Sequence, residues 1–322
     1  MKKRTKLLLA IGAAIATPVI INHIIAKKAA ARIEKVQAQA QPEEEQLVYN
    51  WEYGDIRYIV KGEGKPLLLL HGIYPGACGL EWEDVLDSFA KDYKVYVPDL
   101  LGFGYSSKPA LDYCSYLYVR LIKDFAENII GQPVIAVASV HTAAALASCA
   151  ALNPEDFEKI VLVSPTGLET ETPLAQDEDG VLKKLLESPI LGTSFYNALC
   201  SKKALTALFF EEEGQAHPLY NEEFMDRIYL AAHSEGAAGK HALAALLGKF
   251  FNTDIKQTLA QLEMPYHIIV GDSAPEEKGG FNLYNGMDDS YEAHVIEDGT
   301  LFPHAFAPEE FYNICKGLID GK

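Results

Sequence analysis

No two cysteines in this chain are spaced as C-x-x-C. The five it contains (Cys78, Cys114, Cys149, Cys200 and Cys315) are scattered singly. That distribution excludes a zinc ribbon or a dithiol redox motif and fits buried, reduced thiols. No His/Cys group has metal-ligand spacing, so no metal and no cofactor is expected. There is no internal repeat, which removes solenoids and propellers. Positive charge is scarce, with 28 Lys/Arg against 45 Asp/Glu and a net charge of −17. The first 35 residues hold eight Lys/Arg and one Glu, so the remainder of the chain stands at −24. A body that acidic argues against nucleic acid as a partner.

The basic residues cluster at the N-terminus. MKKRTK precedes an apolar run at residues 7–26, and KKAAARIEK follows it. About twenty mostly apolar residues between basic clusters suffice to cross a bilayer. Residues 1–46 are therefore expected to form an uncleaved membrane anchor and a stalk rich in Ala, Gln and Glu, with the lipid bilayer met through residues 7–26. Pro18, Asn22 and His23 interrupt the run. A cleaved secretory peptide is the alternative, but the small-x-small site Ala38-Gln39-Ala40 lies too far past the run for ordinary cleavage. The basic residues are evenly divided between the two flanks, so the positive-inside rule chooses no orientation. The unpaired cysteines lean towards the cytoplasmic face.

From residue 47 the pattern changes. Residues 48–53 and 56–60 read as strands joined at Gly54-Asp55, a hairpin signal. Four consecutive leucines (67–70) form a buried strand ending in His71-Gly72, and 80–90 reads as a helix. Further strands are expected at 94–97, 134–138, 160–163, 267–270 and 293–296, with an amphipathic helix at 116–130. Strands alternating with helices imply an α/β fold with a mostly parallel, doubly covered sheet. Residues 168–258 carry no strand signal. Helical patterns at 182–186, 194–210, 222–233 and 239–251 make this stretch an all-helical lid inserted into a single domain, 47–322.

The stretch PVIAVASVHTAAALA, residues 133–147, passes from apolar strand to small-residue helix through a very tight turn. Catalytic versions of this turn carry a nucleophile between small residues, because larger flanking side chains would strike the neighbouring strand or helix. One register sets Ala138 and Thr142 at the small positions and Val140 at the apex. The other makes Ser139 the apex, but needs bulky Val137 and His141 at the small positions and shortens the strand. The first register is the better fit. An isopropyl group cannot attack a carbonyl.

LLLLHGIYPG (67–76), PDLLGFGYSSKP (98–109), the 133–147 turn and FPHAFAPEEF (302–311), in this order, resemble the α/β-hydrolase superfamily of lidded, esterase- or lipase-like proteins. The resemblance covers about residues 48–320. It implies an oxyanion hole at the turn after Gly72, formed by the backbone N–H groups of Ile73 and His141. It implies that His304 is the general base. The orienting acid follows the strand near 270, where Asp272 is early and Glu276 late for the family pattern; Glu169, after the preceding strand, is a distant candidate. The nucleophile position is Val140, with Ser139 as the alternative. The resulting expectation is a membrane-anchored pseudoenzyme that binds a small apolar or carbonyl ligand under its lid without hydrolysing esters. The alternatives are a serine esterase or amidase using Ser139, and proton-transfer or lyase chemistry on His304 alone.

Overall fold

The computed structural model describes residues 17–33, 47–169, 172–209, 222–272, 291–297 and 300–321. Its strands are β1 (Leu47–Trp51), β2 (Gly54–Lys61), β3 (Lys65–Leu70), β4 (Tyr93–Pro98), β5 (Val134–Ser139), β6 (Phe157–Val163), β7 (Tyr266–Gly271) and β8 (His294–Ile296). They form one eight-stranded sheet in the order β1-β2-β4-β3-β5-β6-β7-β8. The β1–β2 hairpin and the β2–β4 pair are antiparallel, and every pair from β4 to β8 is parallel. The central strands β3 and β5 are buried almost throughout, as continuous apolar runs require when both faces of a sheet are covered.

The described residues 17–33 form helix α1. Helices α2 (Glu83–Phe89), α3 (Ser115–Phe125) and α4 (Val140–Leu152) follow in the chain. On one face α3 and α4 pack through Tyr118, Phe125, Ala143 and Ala147. The alanines of α4 let it approach the sheet closely. On the other face lie α2 and the last helix, with Trp82, Phe89, Phe311 and Cys315 against Leu67, Leu69 and Val137. Between β6 and β7 stand α5 (Asp177–Leu186), α6 (Leu191–Leu199), α7 (Lys202–Phe209), α8 (Glu222–Ala232), α9 (Lys240–Leu247) and α10 (Lys256–Leu259). The chain closes with α11 (Pro303–Phe306) and α12 (Pro308–Asp320).

Three expectations change in detail. The helix at 80–90 begins as a 3₁₀ turn, Gly79–Trp82, before α2. The stretch 194–210 is two helices, because Ser201 takes the N–H of Ala204 on its side chain and so restarts the helix as α7. The helix at 182–186 starts earlier, at Asp177, where Gln176 and Asp179 form a reciprocal capping box.

The described residues give the expected membrane span no support. No helix among the described residues is long and apolar enough to cross a membrane. Residues 7–16 of that span, and 34–46 of the stalk, lie outside the described residues. The described part rests on the lid. Asn22 donates to Ser194 Oγ at 3.0 Å and accepts from Asn197 Nδ2 at 2.9 Å, while Arg32 pairs with Asp226. A polar residue that looked like a flaw in an apolar run is thus the contact that ties α1 to α6.

The lid is tied to the sheet by a buried lysine. Lys108 Nζ donates to Gly104 O and Ser234 Oγ, both at 2.5 Å, and its backbone N–H donates to Glu235. Burial pushes Lys108 down to about 8. Below that value the ammonium is present. Between about 8 and the ordinary lysine value of 10.5 the unfolded chain binds more protons than the folded one, so this group makes stability rise with pH there. Urea denaturation across that window should show the wild type gaining about 2–3 kcal/mol relative to Lys108→Met.

Candidate active site

The carboxyl ends of β3 and β5, and the loop after β8, converge on one buried carboxylate. Glu81 sits on the 3₁₀ turn after β3 and is 2% exposed. Its Oε2 accepts the Gly72 N–H at 2.9 Å and the Tyr74 hydroxyl at 2.7 Å. Its Oε1 accepts the Ser139 hydroxyl at 2.5 Å and lies 3.0 Å from His304 Nε2. The His304 contact is close without the alignment of a hydrogen bond, and His304 Nδ1 is buried with no hydrogen-bond partner. Trp82 stacks on the His304 ring at 4.1 Å with a 24° tilt. Phe302 and Phe311 close the imidazole in edge-on.

Burial pushes Glu81 up, but the His304 contact, the neighbouring His71 and the Ser139 hydroxyl outweigh it and hold the carboxyl below its ordinary value. His71 is fixed in one tautomer. Its Nε2 accepts the Leu100 N–H at 2.9 Å, so Nδ1 carries the proton facing Gly72 O at 2.7 Å. Position 72 has no room for a side chain, since a Cβ there would meet Ser139 Oγ at 2.9 Å.

At the turn, Ser139 ends β5 with extended backbone and Val140 has φ +52°. Val140 is therefore the residue at the tight turn, and α4 begins with it. Ser139 is the last residue of the strand and fully buried. His141, second in α4, has a backbone N–H that helix geometry leaves without a partner. Its ring Nε2 faces Asn252 Oδ1 at 3.2 Å, and Nδ1 is buried without a partner. Burial, partly offset by Asn252, pushes His141 down to about 4, so its ring is neutral at pH 7. Ile73, the other expected oxyanion donor, is 2% exposed in the turn after Gly72.

The expected acids lie elsewhere. Asp272 is exposed just beyond β7, its backbone N–H on Ile296 O at 3.1 Å. Glu169 accepts from Gly167 N at 2.8 Å and Thr172 Oγ1 at 3.4 Å. Glu276 lies outside the described residues. The carboxylate that does reach His304 is Glu81, which sequence reasoning missed. The available signal was an acidic residue wedged between Leu80 and Trp82 on an otherwise apolar turn. Among the described residues no group of His, Cys, Asp and Glu could hold a metal ion.

The strand order, the tight turn after β5 and a histidine after β8 define the α/β-hydrolase fold. Residues 65–188 match the family profile described as alpha/beta hydrolase fold, and the chain has that fold. Among curated relatives, a 2-hydroxy-6-oxo-6-(2'-aminophenyl)hexa-2,4-dienoic acid hydrolase of Metapseudomonas resinovorans is 33% identical over 123 residues, covering 36% of this chain and 41% of the relative. The chain thus spans less than half the length of the curated relatives it matches. Among solved structures, a serine hydrolase involved in carbazole degradation superposes with TM-score 0.62 and 19% identity, covering 87% of this chain and 100% of that one. An epoxide hydrolase from Vigna radiata gives 0.65 and 16%, covering 88% and 100%. These structures share the fold and differ in chemistry, so the reaction has to be argued from the site.

Removing the Glu81 carboxylate leaves His304, the Gly72 N–H and the hydroxyls of Tyr74 and Ser139 uncompensated in the core. Glu81→Ala should cost about 3–5 kcal/mol at pH 7 in urea denaturation. Because the folded value of Glu81 is lowered, its stabilisation is present above the unfolded value near 4.5 and is lost as pH falls below it. The gap between wild type and Glu81→Gln should therefore narrow on acidification through that range.

Proposed function

We propose that this protein acts on small carbonyl-bearing molecules at the carboxyl edge of its sheet, using His304 for proton transfer and forming no acyl-enzyme at position 140. The observation that carries this reading is Val140 at the turn with φ +52°. The residue in the nucleophile's place has no group able to add to a carbonyl. His304, held beside the Glu81 carboxylate, supplies the base, and Glu81 stabilises the imidazolium that forms when it takes a proton. Water is then the nucleophile. The backbone N–H groups of His141 and Ile73 would receive the developing oxyanion, since backbone donors survive any side-chain change. A carbonyl substrate is supported by the relative that hydrolyses a 6-oxo dienoic acid. His304 is fully enclosed and Val140 is 5% exposed, so binding has to displace the covering side chains.

A second reading, a serine hydrolase on Ser139, is favoured by the hydroxyl adjacent to the turn and its 2.5 Å hydrogen bond to Glu81. In that reading Glu81 rather than His304 would withdraw the proton. A fluorophosphonate probe and an activated short-chain ester separate the readings. The base reading expects no covalent labelling and a slow turnover that falls about 10²–10⁴-fold in His304→Gln. Labelling that vanishes in Ser139→Ala would replace it with the second reading. No turnover of any carbonyl substrate, with a ligand still bound, would return the chain to a binding protein. Val140→Ser should create fluorophosphonate labelling absent from the wild type, because the new hydroxyl stands at the turn beside the base.

A further inference from the structure

We propose that α1, held on the lid by Asn22 and Arg32, presents an apolar face that seats the protein on an anionic bilayer surface without crossing it. The less exposed residues of α1 are Pro18, Asn22, Ile25, Ala29 and Ile33. They recur at intervals of three and four, the stripe by which a helix docks along one side. That side is occupied, with Asn22 bonded to both Ser194 and Asn197 of α6 and Arg32 paired with Asp226 of α8.

The opposite face has no such partner among the described residues. Val19, Ile20, Ile21 and Ile24 there, with Leu191 and Phe195 on the same α6 that receives Asn22, are between 42% and 61% exposed. Six large apolar side chains gathered around one helix contact form a patch rather than scattered singletons. Its charge surroundings choose the occupant. Lys27 and Lys28 are exposed one turn beyond Ile24, and MKKRTK precedes the helix in sequence. Apolar residues flanked by lysines match an interfacial helix, which lies in the headgroup region with basic residues towards anionic lipid.

The test is flotation of the full chain with vesicles of phosphatidylcholine containing phosphatidylglycerol, at low ionic strength. The wild type should float with them and be released by alkaline carbonate. The double substitution Ile20→Asp with Ile24→Asp, both at exposed positions and checked for intact fold by circular dichroism, should lower partitioning at least about tenfold. Lys27→Glu with Lys28→Glu should abolish the preference for anionic over neutral vesicles. Absence of flotation, or equal flotation of the Asp variant, overturns the proposal. So does resistance to carbonate, which would mean a spanning helix. A dimer in sedimentation that the Asp variant dissolves would show a second copy covering this face.

Discussion

Glu81 is a charge fully enclosed in protein, and the architecture around it follows from the need to satisfy that charge. Four groups from three parts of the sheet meet it: Gly72 and Tyr74 after β3, Ser139 at the end of β5, and His304 after β8. Taking a carboxylate out of water costs several kcal/mol even after relaxation, and only a full set of donors and an opposite charge offsets it. Each donor then loses its freedom. Gly72 stays a glycine because Ser139 Oγ approaches so closely, and His304 is clamped between Glu81 and the Trp82 ring. The lid is tied to the neighbouring loop in the same manner, by a buried lysine whose donors end on Gly104 and Ser234.

The turn at Val140 sets the opposite kind of constraint. A β-branched residue at φ +52° is sterically unfavourable, at a cost of about 1–3 kcal/mol. The conformation persists because β5 is paired on both sides, α4 is packed through its alanines, and Thr166 N–H donates to Val140 O at 3.4 Å. The tight turn is thus held by its surroundings with an isopropyl side chain at its apex. The strain arises from the Cβ and its branching, so it would fall with a smaller side chain at the apex. The Glu81–His304 contact is built from residues that are independent of that apex.

Much of the fold was legible in the sequence because it rests on local pattern. Four leucines in a row, alternating strand and helix periods, and small residues around a tight turn all act over a few positions. The strand positions and the tight turn at Val140 follow from them, whereas the strand order is set by pairing across the sheet. The contacts that define the site are of another kind. Glu81 reaches Ser139 across 58 residues, and neither its neighbours nor its spacing announces the partner. Asp272 was sought by its place after a strand, yet position along the chain does not fix which carboxylate points inward. Asn22 was read as weakening an apolar run, since a sequence displays the cost of a polar residue and not its partner. Its partners lie 172 and 175 positions away.

Both misreadings have one physical origin. A buried polar group is expensive alone and acceptable when paired, and pairing is decided by tertiary proximity. The same rule separates the serine at 139 from the histidine at 304 in chemical terms. Ser139 spends its hydroxyl proton on Glu81 inside a packed strand end, so using it as a nucleophile would leave the carboxylate short of a donor. His304 keeps Nδ1 without a hydrogen-bond partner, so a proton gained or lost there breaks no existing bond. Of the two candidate groups, the imidazole is the one whose proton transfer at Nδ1 leaves the Ser139 hydrogen bond to Glu81 in place.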